Sequence, residues 1–245
     1  MKASPTEQKE LLRLQALDIR LQQLEHQAKA LPQHAELAEL AKTLDLSKTV
    51  LTGRTGEVED AKIELRRIES DVDVVEKRIS RDTDRAQHTS SIKDVHALET
   101  ELTALASRLS ALEEIELAVM ERLEEKESAV AETEAERAVV VGRVAEIEAD
   151  RDALLVDLNR QLGELARDRA AIVSAIGDDL AALYEKRRVA GRGNAAALLR
   201  ARTCSGCTMT LTGNDLEEVR AKPADEIVFC PDCGAILVRT EESGI

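Results

Sequence analysis

The chain has 245 residues and a formal net charge of −14; 43% of its residues are hydrophobic and 33% are charged. One Tyr, one Phe and no Trp exclude a large globular core anchored by aromatic side chains. Abundant Leu, Val, Ile and Ala mixed with Glu, Arg and Lys are typical of long helices and coiled coils.

The chain carries no stretch suited to a membrane. Its apolar residues come in ones and twos between charges, far from the roughly 18 consecutive apolar residues of a membrane span. The amino terminus also lacks the apolar stretch of a signal peptide. We therefore expect a cytoplasmic protein with no membrane partner.

The first predicted element is an amino-terminal helix that ends near Leu31. Its apolar residues follow heptad spacing, on the seams Leu14, Leu21, Ala28 and Leu17, Leu24, Leu31. Proline removes an amide and clashes with the preceding turn, so a second helix should begin with Pro32 in its first turn. We expect a kink or short break near residue 32.

Two longer heptad stretches follow. The first has one seam from Leu37 to Ala86 and another from Leu40 to Asp82, and the second runs from Val95 to Leu165 and from Leu98 to Leu154. Polar residues interrupt the later seams at Glu116, Lys126, Thr133, Arg137, Arg151 and Gln161. We expect these to be solvated ends of long side chains, with functional switching as the alternative.

The pattern lapses at residues 86–91, where polar residues cluster. Ser91 suits an N-cap, with Asp94 in the first turn that follows. An antiparallel hairpin whose turn is centred on His88 and Thr89 would pair apolar residues of the two helices in successive layers. Leu65 with Leu112 is one of these layers. The helix after the turn should run to about residue 190, with its end loosened at Gly177.

All four cysteines lie in two CxxC pairs, Cys204 with Cys207 and Cys230 with Cys233. Four thiolates at this spacing predict one structural Zn²⁺ per chain in a closed tetrahedral site. Each CxxC pair and the residue after it form a tight turn called a knuckle, at residues 204–208 and 230–234. Gly206 and Gly234 should provide positive-φ backbone at the two knuckles. Disulfides or a thiol redox pair are the alternatives, although nothing indicates secretion, and iron could occupy the same thiolates.

Short apolar runs near these cysteines predict the strands of a ribbon: residues 208–211, 227–229 and 235–238, with a helical turn at 215–220. The predicted fold class is mainly α, a long antiparallel coiled-coil hairpin with a small carboxy-terminal β zinc ribbon. We expect the hairpin to span residues 1–190 and the ribbon domain residues 191–245.

The acidic charge is not evenly spread. From Tyr184 onward the chain has nine basic and nine acidic residues, and a basic stretch precedes the first knuckle: Lys186, Arg187, Arg188, Arg192, Arg200 and Arg202. The first three suit a helix carboxy terminus through its dipole. The stretch also predicts weak, salt-sensitive nucleic-acid binding without aromatic stacking, because Tyr184 stands alone and Phe229 is expected in the ribbon core.

The sequence has no phosphate-binding glycine loop, no nucleophile elbow and no dinucleotide fingerprint. Four thiolates would leave a bound metal no open coordination position. We therefore do not expect an enzyme.

Three segments carry a family resemblance: LLRLQALDIRLQQLEHQAKALP, TSSIKDVHALETEL and CSGC with IVFCPDCGAIL. On these the chain resembles the bacterial family of coiled-coil hairpins that end in a C4-type zinc ribbon. The match includes Lys93, Asp94, Leu98 and Glu101 near the turn and the four cysteines. It departs at Ala235 and Val238, where the family often has an arginine and a tyrosine.

The resemblance implies an adaptor or chaperone that binds protein partners, in transcription or regulation. Lys93, Asp94 and Glu101 at the tip are the candidate partner-binding residues. A nucleic-acid-binding protein that uses the ribbon and the basic stretch is the alternative. Either a monomer or a homodimer is compatible with the sequence.

Overall fold

The computed structural model describes residues 1–191 and 193–245. Helices account for the chain up to residue 190, and a four-stranded sheet with one further helix follows. The α-helices are α1 (Pro5–Lys29), α2 (Pro32–His88), α3 (Ile92–Ala175), α4 (Asp178–Ala190) and α5 (Gly213–Ala221), and the strands are β1 (Ala196–Arg200), β2 (Thr203–Cys204), β3 (Val228–Phe229) and β4 (Ile236–Val238), with a 3-10 turn at Glu241–Ser243. The predicted fold class is confirmed.

The residues pack into two compact units. Unit 1 comprises Met1–His34 and Ala149–Ile245, and unit 2 comprises Ala35–Glu148. Packing thus groups α1 with the ribbon, while the domain boundary at residue 190 stays a prediction from the sequence. Among the described residues, no helix is apolar over enough of its length to cross a bilayer.

The helix ends lie close to their predicted places. Ser4 caps α1, since its Oγ accepts from the Glu7 amide at 3.2 Å and Glu7 Oε2 accepts from the Ser4 amide at 2.7 Å. Helix α2 begins at Pro32, as predicted. The Asp94 amide donates to Ser91 Oγ at 3.4 Å, which confirms Ser91 as the N-cap of α3. The predicted helix to residue 190 is interrupted, because Gly177 adopts φ +78 between α3 and α4.

The heptad seams are the buried positions of the long helices. In unit 2, every seam residue of α2 from Leu37 to Ala86 is buried or half-buried, and so is every seam residue of α3 from Val95 to Ile147. On the remainder of α3, Leu154 departs from the pattern with 45% of its surface exposed. The coiled-coil periodicity is therefore confirmed. The expectation of solvated polar seam residues is wrong for Thr133, of which only 4% is exposed.

The predicted register is wrong in the middle of the hairpin. Lys62 Nζ lies 3.0 Å from Glu127, whereas the predicted register places Ile115 level with Lys62. Twelve residues of helix separate Ile115 from Glu127, about 18 Å, a distance that the two side chains cannot span. The ion pair of Glu64 with Arg122 at 2.9 Å is displaced in the same direction, because the predicted register places Glu113 level with Glu64.

A polar pair accounts for this register. Apolar residues recur every seven positions on both helices, so a shift by one heptad still pairs apolar with apolar. Arg54, a polar seam residue of α2, donates to the carbonyl of Ala129 at 2.7 Å and to the hydroxyl of buried Thr133. The Thr133 hydroxyl also donates to the carbonyl of Ala129 in its own helix at 2.8 Å, so the guanidinium of Arg54 is the group whose partners depend on this register. Polar core residues are known to specify register in this way.

The ribbon sheet has the strand order β2-β1-β4-β3. Strand β1 pairs antiparallel with β2 and parallel with β4, and β3 pairs antiparallel with β4. The predicted β3, β4 and α5 are confirmed. The run 208–211 forms only an isolated bridge, Thr203 to Thr210, and the strands β1 and β2 lie outside the predicted runs.

The amino-terminal residues continue the sheet at its β3 side. The Ile227 amide donates to the carbonyl of Met1 at 3.1 Å, and the Ala3 amide donates to the carbonyl of Asp225 at 2.7 Å. Lys2 Nζ also pairs with Asp225 at 2.9 Å. Residues 1–3 are therefore held against the ribbon within unit 1.

Candidate metal centre and its surroundings

The two knuckles have the same backbone structure. In the first, the Cys204 amide donates to the carbonyl of Met209 and the Thr208 amide to the carbonyl of Cys204, at 2.9 and 2.8 Å. In the second, the Cys230 amide donates to Ala235 and the Gly234 amide to Cys230, at 2.8 and 2.9 Å. Each tight turn brings the two thiols of its CxxC pair to the same side.

The four sulfur atoms form one compact cluster. Cys204 Sγ lies 3.9 Å from Cys233 Sγ, Cys207 Sγ lies 3.7 Å from Cys230 Sγ, and all four atoms lie within 4.8 Å of one another. Sulfurs bound at ~2.3 Å around a tetrahedral Zn²⁺ are about 3.8 Å apart, so the cluster fits a zinc ion. The four cysteines thus form a zinc-binding site, and all four are free thiols.

Backbone amides and burial act in opposite directions on these thiols. Burial raises the pKa of Cys233 to about 12 and also raises the pKa of Cys204, whereas the amide of Met209 lowers the pKa of Cys207. The amide of Ala235 donates to Cys233 in the same way. Donors of this kind stabilise thiolates when the metal replaces the protons.

The positive-φ prediction holds for one knuckle only. Gly234 has φ +73, as expected, but Gly206 is not in the left-handed region; Thr208, with φ +63, takes the position equivalent to Gly234. Gly206 is constrained by packing instead, since a Cβ there would lie 3.2 Å from the Cβ of Ala197. The fifth residue of each knuckle, not the third, is therefore the one that needs this conformation.

Thr208→Gly is expected to stabilise the zinc-bound ribbon by about 1 kcal/mol. The left-handed conformation costs a non-glycine residue roughly 1–2 kcal/mol, and the greater chain entropy of glycine offsets part of the gain. Thermal unfolding of the zinc-loaded protein should show a higher Tm. Thr210→Gly is the matched control: Thr210 is outside the left-handed region, so its variant should lose stability. A similar loss in both variants would contradict the idea.

The structure places the residues of the basic stretch in different surroundings. Lys186 and Arg202 are exposed. Arg187 lies over the ring of Phe229, and Arg188 pairs with Glu185 at 2.8 Å. Arg200 pairs with Glu242 at 3.1 Å. Arg192 lies outside the described residues. Half of the predicted nucleic-acid-binding residues are therefore engaged within the protein itself.

One aromatic expectation needs correction. The sequence places Phe229 in the ribbon core, but 37% of its surface is exposed and Arg187 covers one face. Tyr184 is completely buried, with its hydroxyl donating to Asp18 at 2.7 Å, so its ring offers no stacking surface to a nucleic acid.

Asp18 is the centre of a buried polar network that the sequence did not reveal. Its carboxylate is 4% exposed and accepts from Arg169 Nε at 2.6 Å as well as from Tyr184. Arg169 also bonds Glu185. Burial and the bond to Asp18 raise the pKa of Tyr184, and the bond to Asp18 raises the pKa of Arg169. The network joins α1, α3 and α4.

Other buried polar side chains of α1 hold loop backbone. Gln15 donates to the carbonyl of Gly193 and accepts from the amides of Ala195 and Ala196, at 2.7, 2.7 and 3.1 Å. Gln8 donates to the carbonyls of Ala3 and Ala224, both at 2.9 Å. Their spacing of seven, together with Asp18, marks a second buried face of α1 that a search for apolar seams passes over.

The candidate partner-binding residues lie at the tip of unit 2. Lys93 and Asp94 are exposed, and among the described residues neither has an ion pair. Glu101 pairs across the hairpin with Arg78. Ile92, which the sequence analysis did not single out, is 81% exposed beside them. We call Ile92, Lys93 and Asp94 the tip surface.

Comparison with known families matches most of the chain. Residues 14–192 match the CT398-like coiled coil hairpin domain, and residues 203–237 match the C4-type zinc ribbon domain. A protein of Mycobacterium tuberculosis H37Rv, Rv2229c, is 32% identical over 247 residues, covering 98% of both chains.

Solved structures show the same fold. A Mycobacterium smegmatis protein is similar with a TM-score of 0.84 and 33% identity, covering 98% of this chain and 100% of that one. CT398 of Chlamydia trachomatis is similar with a TM-score of 0.66 and 21% identity, covering 95% of this chain and 97% of that one.

Proposed function

Since the chain belongs to the family of CT398-like coiled-coil hairpins with a C4-type zinc ribbon, we propose that it is a non-catalytic cytoplasmic adaptor whose tip surface binds a protein partner. One structural Zn²⁺ per chain holds the ribbon. The four thiolates fill a tetrahedral coordination sphere, so the metal offers no open position for Lewis-acid chemistry.

The exposed tip surface is the observation that supports protein binding. Ile92 exposes a large apolar side chain beside one cation and one anion. A protein partner that covered the tip surface would bury this apolar side chain and meet both charges. Glu101 pairs with Arg78, so its contribution within this proposal is to order the hairpin near the turn.

Variants of the tip surface should lose the partner while keeping their helices. Lys93→Ala and Asp94→Asn remove the two charges, and each leaves the Asp94 amide free to bond Ser91. Pull-down from native cytoplasm followed by titration of the recovered partner measures binding, and far-UV circular dichroism measures helicity. We expect at least a tenfold loss of affinity for the double variant.

The control is Asp45→Asn with Lys48→Ala, which removes one anion and one cation from exposed positions of α2 in the same unit. It should bind as the wild type does. If the tip variant also retains the partner, or loses it only together with helicity, the tip has a capping role and the adaptor proposal fails at this surface.

Nucleic-acid binding remains the second candidate because part of the basic stretch is accessible. Lys186 and Arg202 are exposed, and the Arg200 side chain is 73% exposed despite its ion pair. Three such contacts predict weak binding that falls as salt rises. Titration of labelled RNA and DNA with the full chain at low salt tests this, against a variant with Ala at these three positions.

A further inference from the structure

Arg187 occupies a position unlike that of its basic neighbours. Its guanidinium carbon lies 4.1 Å from the centre of the Phe229 ring. Its Nη1 lies 3.4 Å from the point that a Cβ on Gly234 would occupy. Its Nε is buried, with no hydrogen-bond partner among the described residues. The side chain is therefore half-buried against the ribbon, whereas its neighbour Lys186 is exposed.

Both contacts of Arg187 adjoin metal-binding cysteines. Phe229 directly precedes Cys230, and Gly234 directly follows Cys233. The guanidinium thus touches the second knuckle where the chain enters it and where it leaves it. The φ of +73 favours glycine at position 234, and the missing side chain also lets the guanidinium approach the backbone.

The charge of the site makes this position favourable. Four thiolates around one Zn²⁺ carry a net charge of about −2. A partly buried cation beside such a site is attracted more strongly than one in water, because the effective dielectric constant is lower. The ring of Phe229 adds a cation–π contact, worth about 0.5–2 kcal/mol.

We infer that Arg187 is a positioning residue of the metal centre, which holds the second knuckle, compensates the charge of the zinc thiolates and couples zinc binding to α4. Zinc binding is coupled to α4 because Arg187, which contacts the second knuckle, lies on this helix. The same helix carries Tyr184, whose hydroxyl is bonded to Asp18 of α1. The inference rests on zinc being bound by the four cysteines, as proposed above.

The test compares zinc release from Arg187→Met with release from Lys186→Met. Both substitutions remove one positive charge from α4, but Lys186 is exposed. Full-length zinc-loaded proteins are mixed with a chromogenic chelator, and the rate of zinc transfer is measured. Arg187→Met should release zinc about tenfold faster, the range for loss of an outer-sphere contact. Arg187→Lys, which keeps the charge without the planar contact, should fall between the two.

A second readout separates this role from general destabilisation. In the wild type, removal of zinc should increase hydrogen exchange in residues 184–190, and in Arg187→Met this difference should be at least halved. If Arg187→Met does not fold, Phe229→Leu tests the same contact, because it removes the ring that Arg187 covers. This variant should release zinc severalfold faster than the wild type.

The outcomes are distinct. Wild type without stoichiometric zinc would overturn the metal assignment itself. Stoichiometric zinc with release rates for Arg187→Met within twofold of Lys186→Met would overturn the role of Arg187 while leaving the zinc ribbon intact.

Discussion

Replacing Cys230 by Ser should abolish stoichiometric zinc binding and unfold the ribbon, while most of the helical signal remains. Binding of structural zinc contributes roughly 10–16 kcal/mol in small zinc domains, far more than the small apolar cluster around β1, β4 and α5 can replace. Metal analysis of the purified protein measures the first effect. Hydrogen exchange of β4, whose residues are all buried, measures the second.

Met209→Ala is the control for this substitution. Met209 directly follows the first knuckle, but its side chain is 51% exposed, and its amide, which bonds Cys207, is retained. This variant should keep one zinc per chain and a protected β4. A Cys230→Ser protein that retained both would show that the four-thiolate assignment is wrong.

Asp18→Ala should lower the free energy of unfolding of unit 1 by about 3 kcal/mol. The substitution leaves the buried hydroxyl of Tyr184 without its acceptor and takes one of two carboxylate partners from Arg169. Removing one member of a buried ion pair typically costs about 3–5 kcal/mol, and the remaining bond of Arg169 to Glu185 should keep the loss at the lower end.

Tyr184 provides the measurement, since the chain has one Tyr and no Trp. Urea denaturation followed by tyrosine fluorescence therefore reports on the network directly. Asp168→Ala is the control, because it removes an exposed carboxylate next to Arg169 on the same helix and should change stability by less than about 0.5 kcal/mol. Equal losses in the two variants would mean that the network is not a stabilising element.

Periodicity explains why the helices could be predicted from the sequence. A seam residue is buried wherever the hairpin forms, so the seven-residue repeat is visible without knowledge of the partner helix. The register is not visible in the same way, because neighbouring heptads are interchangeable. The facing of Arg54 and Thr133 is concealed in the sequence because Thr133, taken by itself, is indistinguishable from a tolerated polar exception.

The metal ligands could be predicted because cysteine spacing alone restricts the chemistry. The surroundings of the site could not. Thr208 occupies a left-handed position usually associated with glycine, and Asp18 and Gln15 are polar residues that are buried because α4 and the ribbon loops supply their partners. Such positions depend on contacts between residues 150 or more apart in sequence, which local patterns do not encode.

The contacts of residues 1–18 with the ribbon have a consequence for synthesis on the ribosome. Leu11 and Leu14 are completely buried in a cluster that includes Ile172 and Ile236, so their partners emerge long after they do. At an elongation rate of about 5–20 residues per second, the apolar face of α1 remains without its partners in unit 1 for on the order of ten seconds or more. The residues of unit 2 are contiguous in sequence and can assemble during this interval. We therefore expect nascent chains arrested before β4 to expose α1 and to be the form most dependent on chaperones.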